Sequence, residues 1–238
     1  MSSTTWTPPA VSSEAKDWRA WIWRIVEAQH IASTMKIVDT AAEQDVLETL
    51  LEASKPPLPE DAAGLNYLLA TPFRYDPVRP GSRFRSVSDP GVFYGAESVR
   101  TACAELGYVR WKFLKDAEDL DKLEPVTHTA FRSDVHSSAV DLRVPPFKRD
   151  AASWTHRTDY TATQAFARIA REAGIGAIVY QSVRDPQSSW CAAVLTPMAF
   201  ASKKPHHSTQ TWWLAVHQDE VIWRHHHEVI VFPMQAAS

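Results

Sequence analysis

The sequence of 238 residues has few cysteines, little net charge and no long apolar run. Its two cysteines, Cys103 and Cys191, allow at most one disulfide and cannot alone complete a structural zinc site, so we interpret both as reduced core residues. A net charge of -3 offers no broad basic surface, and direct nucleic-acid binding is not expected. No segment approaches the ~20 apolar residues of a membrane helix, and the N-terminus lacks a basic-then-apolar signal pattern. We therefore expect a soluble cytoplasmic protein without a membrane partner.

The first 60 residues are rich in apolar residues at helical intervals, and no Gly or Pro occurs between Ser13 and Ser54. We predict two helices there, with a break around Ile31–Thr34. The apolar stripes are Trp18, Trp21, Ile22, Ile25 and Val26 in the first helix, and Val46, Leu47, Leu50 and Leu51 in the second. We interpret the tryptophan-rich stripe as a packing or dimerisation surface, so a homodimer is among the expected assemblies. The proline run Lys55–Pro59 ends this region.

The sequence beyond the proline run mixes helices and strands. A short helix is predicted over about Asp61–Ala70, and two more over Ser98–Leu106, with Ser98 as its cap, and Thr161–Ala173, which ends at Gly174. Short apolar segments between turn residues predict strands at 92–94, 177–180, 192–195, 211–216 and 228–232. Since no regular βαβ rhythm is present, the expected fold class is α+β. We divide the chain into an N-terminal helical extension, residues 1–60, and a main domain, residues 61–238.

Three polar residues are candidates for catalysis or ligand binding because of their sequence context. Arg74 follows a proline in a turn, and its guanidinium fork suits a phosphate, although a solvated loop charge is the plainer interpretation. Glu105 lies in an otherwise small and apolar helical stretch, where a carboxylate is costly unless paired; the alternative is an exposed helical glutamate. Ser182 follows a strand, and Arg184 would share its face if the strand continued.

The serine does not fit the pattern of a hydrolase nucleophile. Tyr180 stands where the first glycine of a GxSxG elbow would be, and the sequence nominates no partnered base. Ser182 is therefore interpreted as a hydrogen-bonding residue rather than a nucleophile.

Two further clusters invite interpretation as ligand sites. The segment Arg79–Arg85 places three arginines around a glycine turn, which suits a pyrophosphate but matches neither GxGxxG nor a P-loop. In the run His225–Glu228, consecutive histidines of a strand would point to alternate faces, so at most His225 and His227 could share an ion. No metal site is expected.

A series of six short motifs resembles the RES-domain family. The resemblance covers roughly Leu65–Pro197, and the region Trp18–Pro59 is similar to the N-terminal extension of a longer subgroup of that family. Each motif is weak alone, whereas the ordered set is specific; its members are Phe73–Tyr75, Gly81–Phe84, Gly91–Ala96, Ala102–Glu105, Asp159–Gln164 and Tyr180–Arg184.

The resemblance implies a fold like that of ADP-ribosyltransferases and a bacterial toxin of a RES–Xre type toxin–antitoxin pair, with a cognate antitoxin as partner. It implies an NAD⁺ glycohydrolase or phosphorylase, in which NAD⁺ is the substrate and no cofactor is needed. Two alternatives stay open: a protein ADP-ribosyltransferase with the same site, and a non-catalytic RES-like interaction module.

The resemblance also assigns roles within the site. Glu105 would act at the glycosidic bond, Arg74 would bind the NAD⁺ phosphates with help from Arg83, and Ser182 would position the nicotinamide or ribose. The remaining substrate-binding residues would be Tyr75 and Tyr94, on the nicotinamide side, and Arg184. Arg85 departs from the family pattern, since many relatives carry a small polar residue there.

Overall fold

The computed structural model describes residues 6–28, 40–75, 81–117 and 119–234. Helix α1 spans Pro8–Ser13, strand β1 spans Lys16–Glu27 and helix α2 spans Ala41–Ser54. The second predicted helix is confirmed by α2. The break expected around residues 31–34 lies outside the described residues.

The first predicted helix is wrong, because the segment that carries the tryptophan stripe is a strand. β1 pairs antiparallel with a later strand over its full length, from Lys16 opposite Ala139 to Glu27 opposite His128. Its Trp, Ile and Val residues pack well on a pleated surface, and tertiary pairing overrides their helix-like spacing. Ile22 and Ile25 are both buried although they face opposite sides of the sheet, since each side carries a core of its own.

After α2, the order of helices and strands follows the prediction more closely. A 3₁₀ turn at Glu60–Ala62 and helix α3, Tyr67–Arg74, replace the single short helix that was predicted. The helix predicted over Ser98–Leu106 runs on to Asp116. The further elements are β2 (Phe93–Ala96), α4 (Val99–Asp116), β3 (Leu123–Asp141), α5 (Ala151–Trp154), α6 (Thr161–Glu172), β4 (Ala177–Gln181), β5 (Trp190–Val194), β6 (Gln210–Val216), β7 (Glu220–His225) and β8 (Glu228–Pro233).

The strands form one mixed sheet in the order β1-β2-β5-β4-β3-β6-β7-β8. Because β1 also pairs with β3, the first five strands make a closed circuit of pairings. The long strand β3 leaves this circuit at its N-terminal end, where it pairs with β6 and so carries the antiparallel extension β6-β7-β8. The pairing of β3 with β4 is parallel. This mixture of one large sheet with several helices confirms the predicted α+β class.

Two hydrophobic cores lie on opposite faces of the sheet. One contains buried side chains of α4 and α6, and its members include Trp111, Leu114, Phe166, Ile178, Trp212 and Trp223. The other is built mainly by strand residues and α3, and its members include Ile22, Leu69, Phe73, Phe93, Phe131 and Val135. Helix α4 therefore lies against one face of the sheet, and its buried side is where the carboxylate of Glu105 is found.

The N-terminal region contributes to this sheet. The prediction that residues 1–60 form a helical extension is wrong for Lys16–Glu27, because this segment is strand β1. The domain boundary near residue 60 stays a prediction. Trp18 packs edge-on against Trp190, with the ring centroids 5.9 Å apart, whereas Trp21 is 44% exposed. In the described ranges, no helix combines the length and the apolar character that crossing a membrane requires.

Candidate active site

Glu105 and Ser182 meet at the contact between α4 and the end of β4. Helix α4 begins at the predicted cap, where Ser98 Oγ accepts a hydrogen bond from the Thr101 amide at 3.1 Å. The cap fixes the start of the helix, and Glu105 follows two turns later on its partly buried side. From the end of β4, the Ser182 hydroxyl donates to Glu105 Oε1 at 2.6 Å. The structure thus brings two of the three predicted catalytic residues into direct contact.

The strand does not continue through Ser182 and Arg184, so the condition under which the two would share a strand face is not met. Strand β4 ends at Gln181, and the chain then turns so that the Arg184 and Asp185 amides donate to Ser182 Oγ at 3.3 and 3.2 Å. The serine oxygen accepts these two bonds and donates one to Glu105. A hydroxyl held in this way is suited to orienting the carboxylate, in keeping with the interpretation of Ser182 as a positioning residue.

The surroundings of Glu105 include one influence that disfavours the charged carboxylate and several that favour it. Burial raises the pKa of the Glu105 carboxyl, and the hydrogen bond from Ser182 lowers it, as do the positive charges of Arg83 and Arg184. The thiol of Cys191 is a weak donor at 3.8 Å from Oε1. Both cysteines are free and buried, which confirms their interpretation as reduced core residues.

Arg184 is stacked within the site. Its guanidinium carbon lies 3.3 Å from the centroid of the Tyr108 ring, a cation–π contact. The same guanidinium donates to the Tyr160 hydroxyl at 3.2 Å and to the Arg157 carbonyl. These contacts hold its positive charge on the side of α4 that carries Glu105.

Arg83 is buried, with 7% of its surface exposed. Its Nη1 donates to the carbonyls of Trp154 and His156, both at 2.9 Å, and its guanidinium lies 4.7 Å from the centroid of the Tyr160 ring. Arg83 therefore fastens the segment after α5 to the site. Phosphate binding by Arg83 stays a prediction.

Tyr94 fixes the turn that presents Arg83. Its hydroxyl accepts a hydrogen bond from the Phe84 amide at 3.0 Å and shares another with Ser82 Oγ at 2.8 Å. Burial raises the pKa of this phenol. The turn begins at Gly81, whose φ of 91° is readily adopted only by glycine.

Arg74 is the last residue of α3. Its Nε donates to the Pro56 carbonyl at 2.6 Å. Helix α3 approaches the chain closely at Gly91, where a Cβ atom would lie 2.4 Å from Phe73 Cα. The structure thus places Arg74 at the end of a packed helix, on a different element from the Glu105 and Ser182 pair.

Tyr75 and Arg85 are linked at the same end of α3. The Tyr75 side chain is 38% exposed, and its carbonyl accepts a hydrogen bond from Arg85 Nη2 at 2.6 Å. Arg85 Nε also donates to the Asp89 carbonyl at 3.1 Å. The arginine that departs from the family pattern therefore ties two backbone segments together.

A cavity of about 620 Å³ opens beside Ser182. Its lining includes the turn after β4, Tyr108, the last two residues of β8, Phe232 and Pro233, and Met234, which follows that strand. Glu105 does not line the cavity itself and is joined to it through the hydrogen bond with Ser182. Sequence reasoning missed Tyr108 and the β8 residues, because neither carries a reactive group or stands in a recognised motif.

The histidine run connects the last two strands of the sheet. β7 ends at His225, β8 begins at Glu228, and His226, with φ 49°, and His227 form the turn between them. His225 Nδ1 donates to the Thr211 carbonyl at 2.7 Å, and its ring stacks on Trp212. Across the described part of the chain, no three His, Cys, Asp or Glu side chains are grouped as a metal site requires.

Comparison with known proteins gives a family match and a structural neighbour. The family model described as the RES domain matches residues 58–217. The crystal structure of the M. tuberculosis MbcT–MbcA toxin–antitoxin complex contains a chain of similar fold, with a TM-score of 0.50 and 12% identity over 85% of this chain and 89% of that one. No curated protein matches the sequence. The structural likeness fits the expected ADP-ribosyltransferase-like fold.

Proposed function

Because this chain belongs to the RES-domain family, we propose that it is an enzyme that consumes NAD⁺ by cleaving the bond between nicotinamide and ribose. The observation that carries the proposal is the Ser182–Glu105 hydrogen bond of 2.6 Å at the edge of a 620 Å³ cavity. A cavity of this size is within the range of small-molecule sites. NAD⁺ serves as the substrate, and the proposal needs no metal or redox cofactor.

Cleavage of the nicotinamide–ribose bond is a reaction that a partly buried carboxylate can promote. As nicotinamide leaves, the ribose develops oxocarbenium-like positive charge, which a nearby carboxylate stabilises. Such stabilisation is stronger where water is excluded, so the burial that raises the pKa of Glu105 also strengthens its action once it is ionised. The Ser182 hydroxyl keeps the carboxylate oriented while the charge develops.

The cationic and aromatic groups of the site suit the rest of the substrate. Arg184, stacked on Tyr108, lines the cavity and offers positive charge to a diphosphate. The Tyr108 ring is also of a type that stacks on nicotinamide or adenine. The proposed role of Arg74 as a further phosphate anchor requires the NAD⁺ to extend toward the end of α3.

The direct test is incubation of the purified protein with NAD⁺, followed by identification of the products with and without inorganic phosphate. Nicotinamide together with free ADP-ribose would indicate water as acceptor, and nicotinamide with a phosphorylated ADP-ribose would indicate phosphate. Label from adenine-labelled NAD⁺ on a protein would favour the ADP-ribosyltransferase alternative. If neither NAD⁺ turnover nor NAD⁺ binding by calorimetry is found, the non-catalytic alternative replaces the proposal.

We further propose that the protein is the toxin of a bacterial toxin–antitoxin pair, with the product of a neighbouring gene as antitoxin. Support comes from the family membership and from the fold shared with a chain of a toxin–antitoxin complex. Induced expression should arrest growth and lower cellular NAD⁺, and co-expression of the neighbouring gene should restore both. Growth arrest that persists in a Glu105→Gln variant would separate toxicity from NAD⁺ consumption and contradict this assignment.

A further inference from the structure

We propose that Asp185 is a positioning residue for NAD⁺ cleavage: anchored on α4 through Thr101, it holds the turn of residues 182–185 so that the Ser182 hydroxyl points at Glu105. This inference rests on the proposed function and adds to it the device that aligns the Ser182–Glu105 pair. Neither Asp185 nor Thr101 was among the site residues predicted from the sequence.

Asp185 is a buried carboxylate with a defined set of partners. It is 7% exposed; Oδ2 accepts a hydrogen bond from Thr101 Oγ1 at 2.9 Å, and Oδ1 accepts one from the Gln187 amide at 3.1 Å. The guanidinium Nε of Arg100 lies 3.4 Å from Oδ1. A buried carboxylate is costly unless it is paired, so these contacts fix the side chain in one orientation.

The turn is joined to α4 at two points, one helical turn apart. Thr101 and Glu105 are separated by four residues and therefore lie on the same face of the helix. Thr101 binds the Asp185 end of the turn, and Glu105 binds the Ser182 end. A shift of either end would change the distance between the serine hydroxyl and the carboxylate.

The turn also decides where the Ser182 hydrogen points. Ser182 Oγ accepts from the Arg184 and Asp185 amides, which occupies the two lone pairs of a hydroxyl oxygen. Its single hydrogen is then free for Glu105 Oε1. Asp185 thus acts through its own backbone amide on Ser182 and through its side chain on the position of the whole turn.

Loss of the Asp185 anchor should change the pH at which Glu105 ionises, and the direction of that change depends on the charged and titratable groups around the carboxylate. Arg83 and Arg184 supply positive charge, and the ionisable side chains of Cys191 and Tyr180 face the carboxylate from β5 and β4. These groups stay when the turn is loosened, whereas the hydrogen bond from Ser182 weakens. Since that bond favours the charged carboxylate against burial, its loss should move the Glu105 titration to higher pH.

The test compares Thr101→Val, which removes the hydroxyl at nearly constant volume, with Thr101→Ser, which keeps it. Asp185→Ala removes the anchor from the other side. Asp134→Asn is the matched control, because Asp134 is also buried, at 6% exposure, and is paired with Arg19 on another part of the sheet. The titration of the Glu105 carboxyl carbon is followed by NMR in protein labelled with ¹³C-glutamate and is assigned by its absence in Glu105→Gln.

We expect the Glu105 titration to move to higher pH in Thr101→Val and Asp185→Ala, and to stay unchanged in Thr101→Ser and Asp134→Asn. The kcat for nicotinamide release should fall about 10- to 100-fold in the first two variants, the scale of a small misplacement in a reacting site, with little change in KM. If Thr101→Val and Asp185→Ala are folded and keep the wild-type titration, the proposal is overturned. Should one of them not fold, the other decides the result.

The NMR titration needs no turnover, so the two proposals can fail separately. If the wild-type protein releases no nicotinamide but Thr101→Val still shifts Glu105, the proposed function fails and the alignment by Asp185 stands. If the wild-type protein is active and Thr101→Val matches it in titration, kcat and pH profile, the alignment fails and the function stands.

Discussion

The Ser182 hydroxyl lies 2.6 Å from the Glu105 carboxylate and donates a hydrogen bond to it across 77 residues of sequence. The bond joins the second turn of α4 to the residue that follows β4, so it also fixes the helix against the sheet. It places the carboxylate between two opposing influences: burial, which disfavours its charge, and a donor together with two arginines, which favour it.

Replacement of Glu105 by glutamine should abolish NAD⁺ consumption without loss of stability. The amide oxygen of the new side chain can still accept the Ser182 bond, but the variant lacks the charge that stabilises the oxocarbenium ion, and loss of one such group lowers kcat by about 100-fold or more. The melting temperature should be equal to or higher than that of the wild type, because the cost of burying a carboxylate is removed. Kinetics and thermal unfolding of the same preparation test this, with the exposed Glu172→Gln as control. Wild-type turnover in the folded variant would contradict the assignment.

The pH dependence of kcat/KM should show an acid limb above the usual range of a glutamate, about 4.3. Burial raises the pKa of Glu105 in the free enzyme, and the reaction needs the ionised form, so kcat/KM falls as the pH drops through that raised value. The measurement is kcat/KM for NAD⁺ over a pH series. An acid limb at or below the ordinary glutamate range would contradict the raised pKa.

The raised pKa of Glu105 affects stability in the opposite direction to activity: activity is lost as the pH falls, whereas stability is lost as the pH rises. Because the folded-state pKa is raised above the unfolded value, this group's stabilising contribution is fully present below the unfolded pKa and is lost as the pH rises through the folded pKa. The difference in unfolding free energy between wild type and Glu105→Gln isolates it. The unfolding free energy of the wild type, minus that of Glu105→Gln, should decrease as the pH rises. An increase with rising pH would refute the raised pKa.

Replacement of Arg74 by alanine should weaken NAD⁺ binding and leave the fold intact. If Arg74 anchors a phosphate, KM should rise about 10-fold or more, since hydrogen bonds between charged groups are each worth about 1.5–3 kcal/mol. The solvent-exposed bond from its Nε to the Pro56 carbonyl is expected to contribute only about 1 kcal/mol to stability. Arg224→Ala, which removes an exposed arginine from β7, controls for net charge. An unchanged KM in Arg74→Ala would exclude Arg74 from the substrate site.

Enlargement of Met234 to tryptophan should obstruct the cavity from the side of β8. Met234 lines the same cavity as Tyr108 and Arg184, so the larger ring should raise the KM for NAD⁺ several-fold or more. Val229→Trp is the matched control, because Val229 lies on β8, the strand that Met234 directly follows, and is 48% exposed. Equal kinetics for the two variants would show that the substrate does not occupy this part of the cavity.

Much of the secondary structure could be predicted because its causes are local. Ser98 caps α4, Gly174 ends α6 in a left-handed conformation, and the apolar runs at residues 177–180 and 228–232 are strands. These outcomes follow from capping, from the freedom of glycine and from the packing preferences of β-branched residues. The ordered motifs likewise led to the family, and the family match over residues 58–217 confirmed it.

The sequence by itself determined the α+β class and most of the strands, since these depend on short-range pattern, and the order of its motifs along the chain nominated Glu105 and Ser182. Only the tertiary structure decided that Lys16–Glu27 is a strand, because its partner β3 lies more than 100 residues away. The same holds for the site: the Ser182–Glu105 contact, the anchor from Asp185 to Thr101 and the cavity wall at the end of β8 join distant segments. Hydrogen bonds and burial between such segments depend on how the chain closes on itself, which residue spacing does not encode.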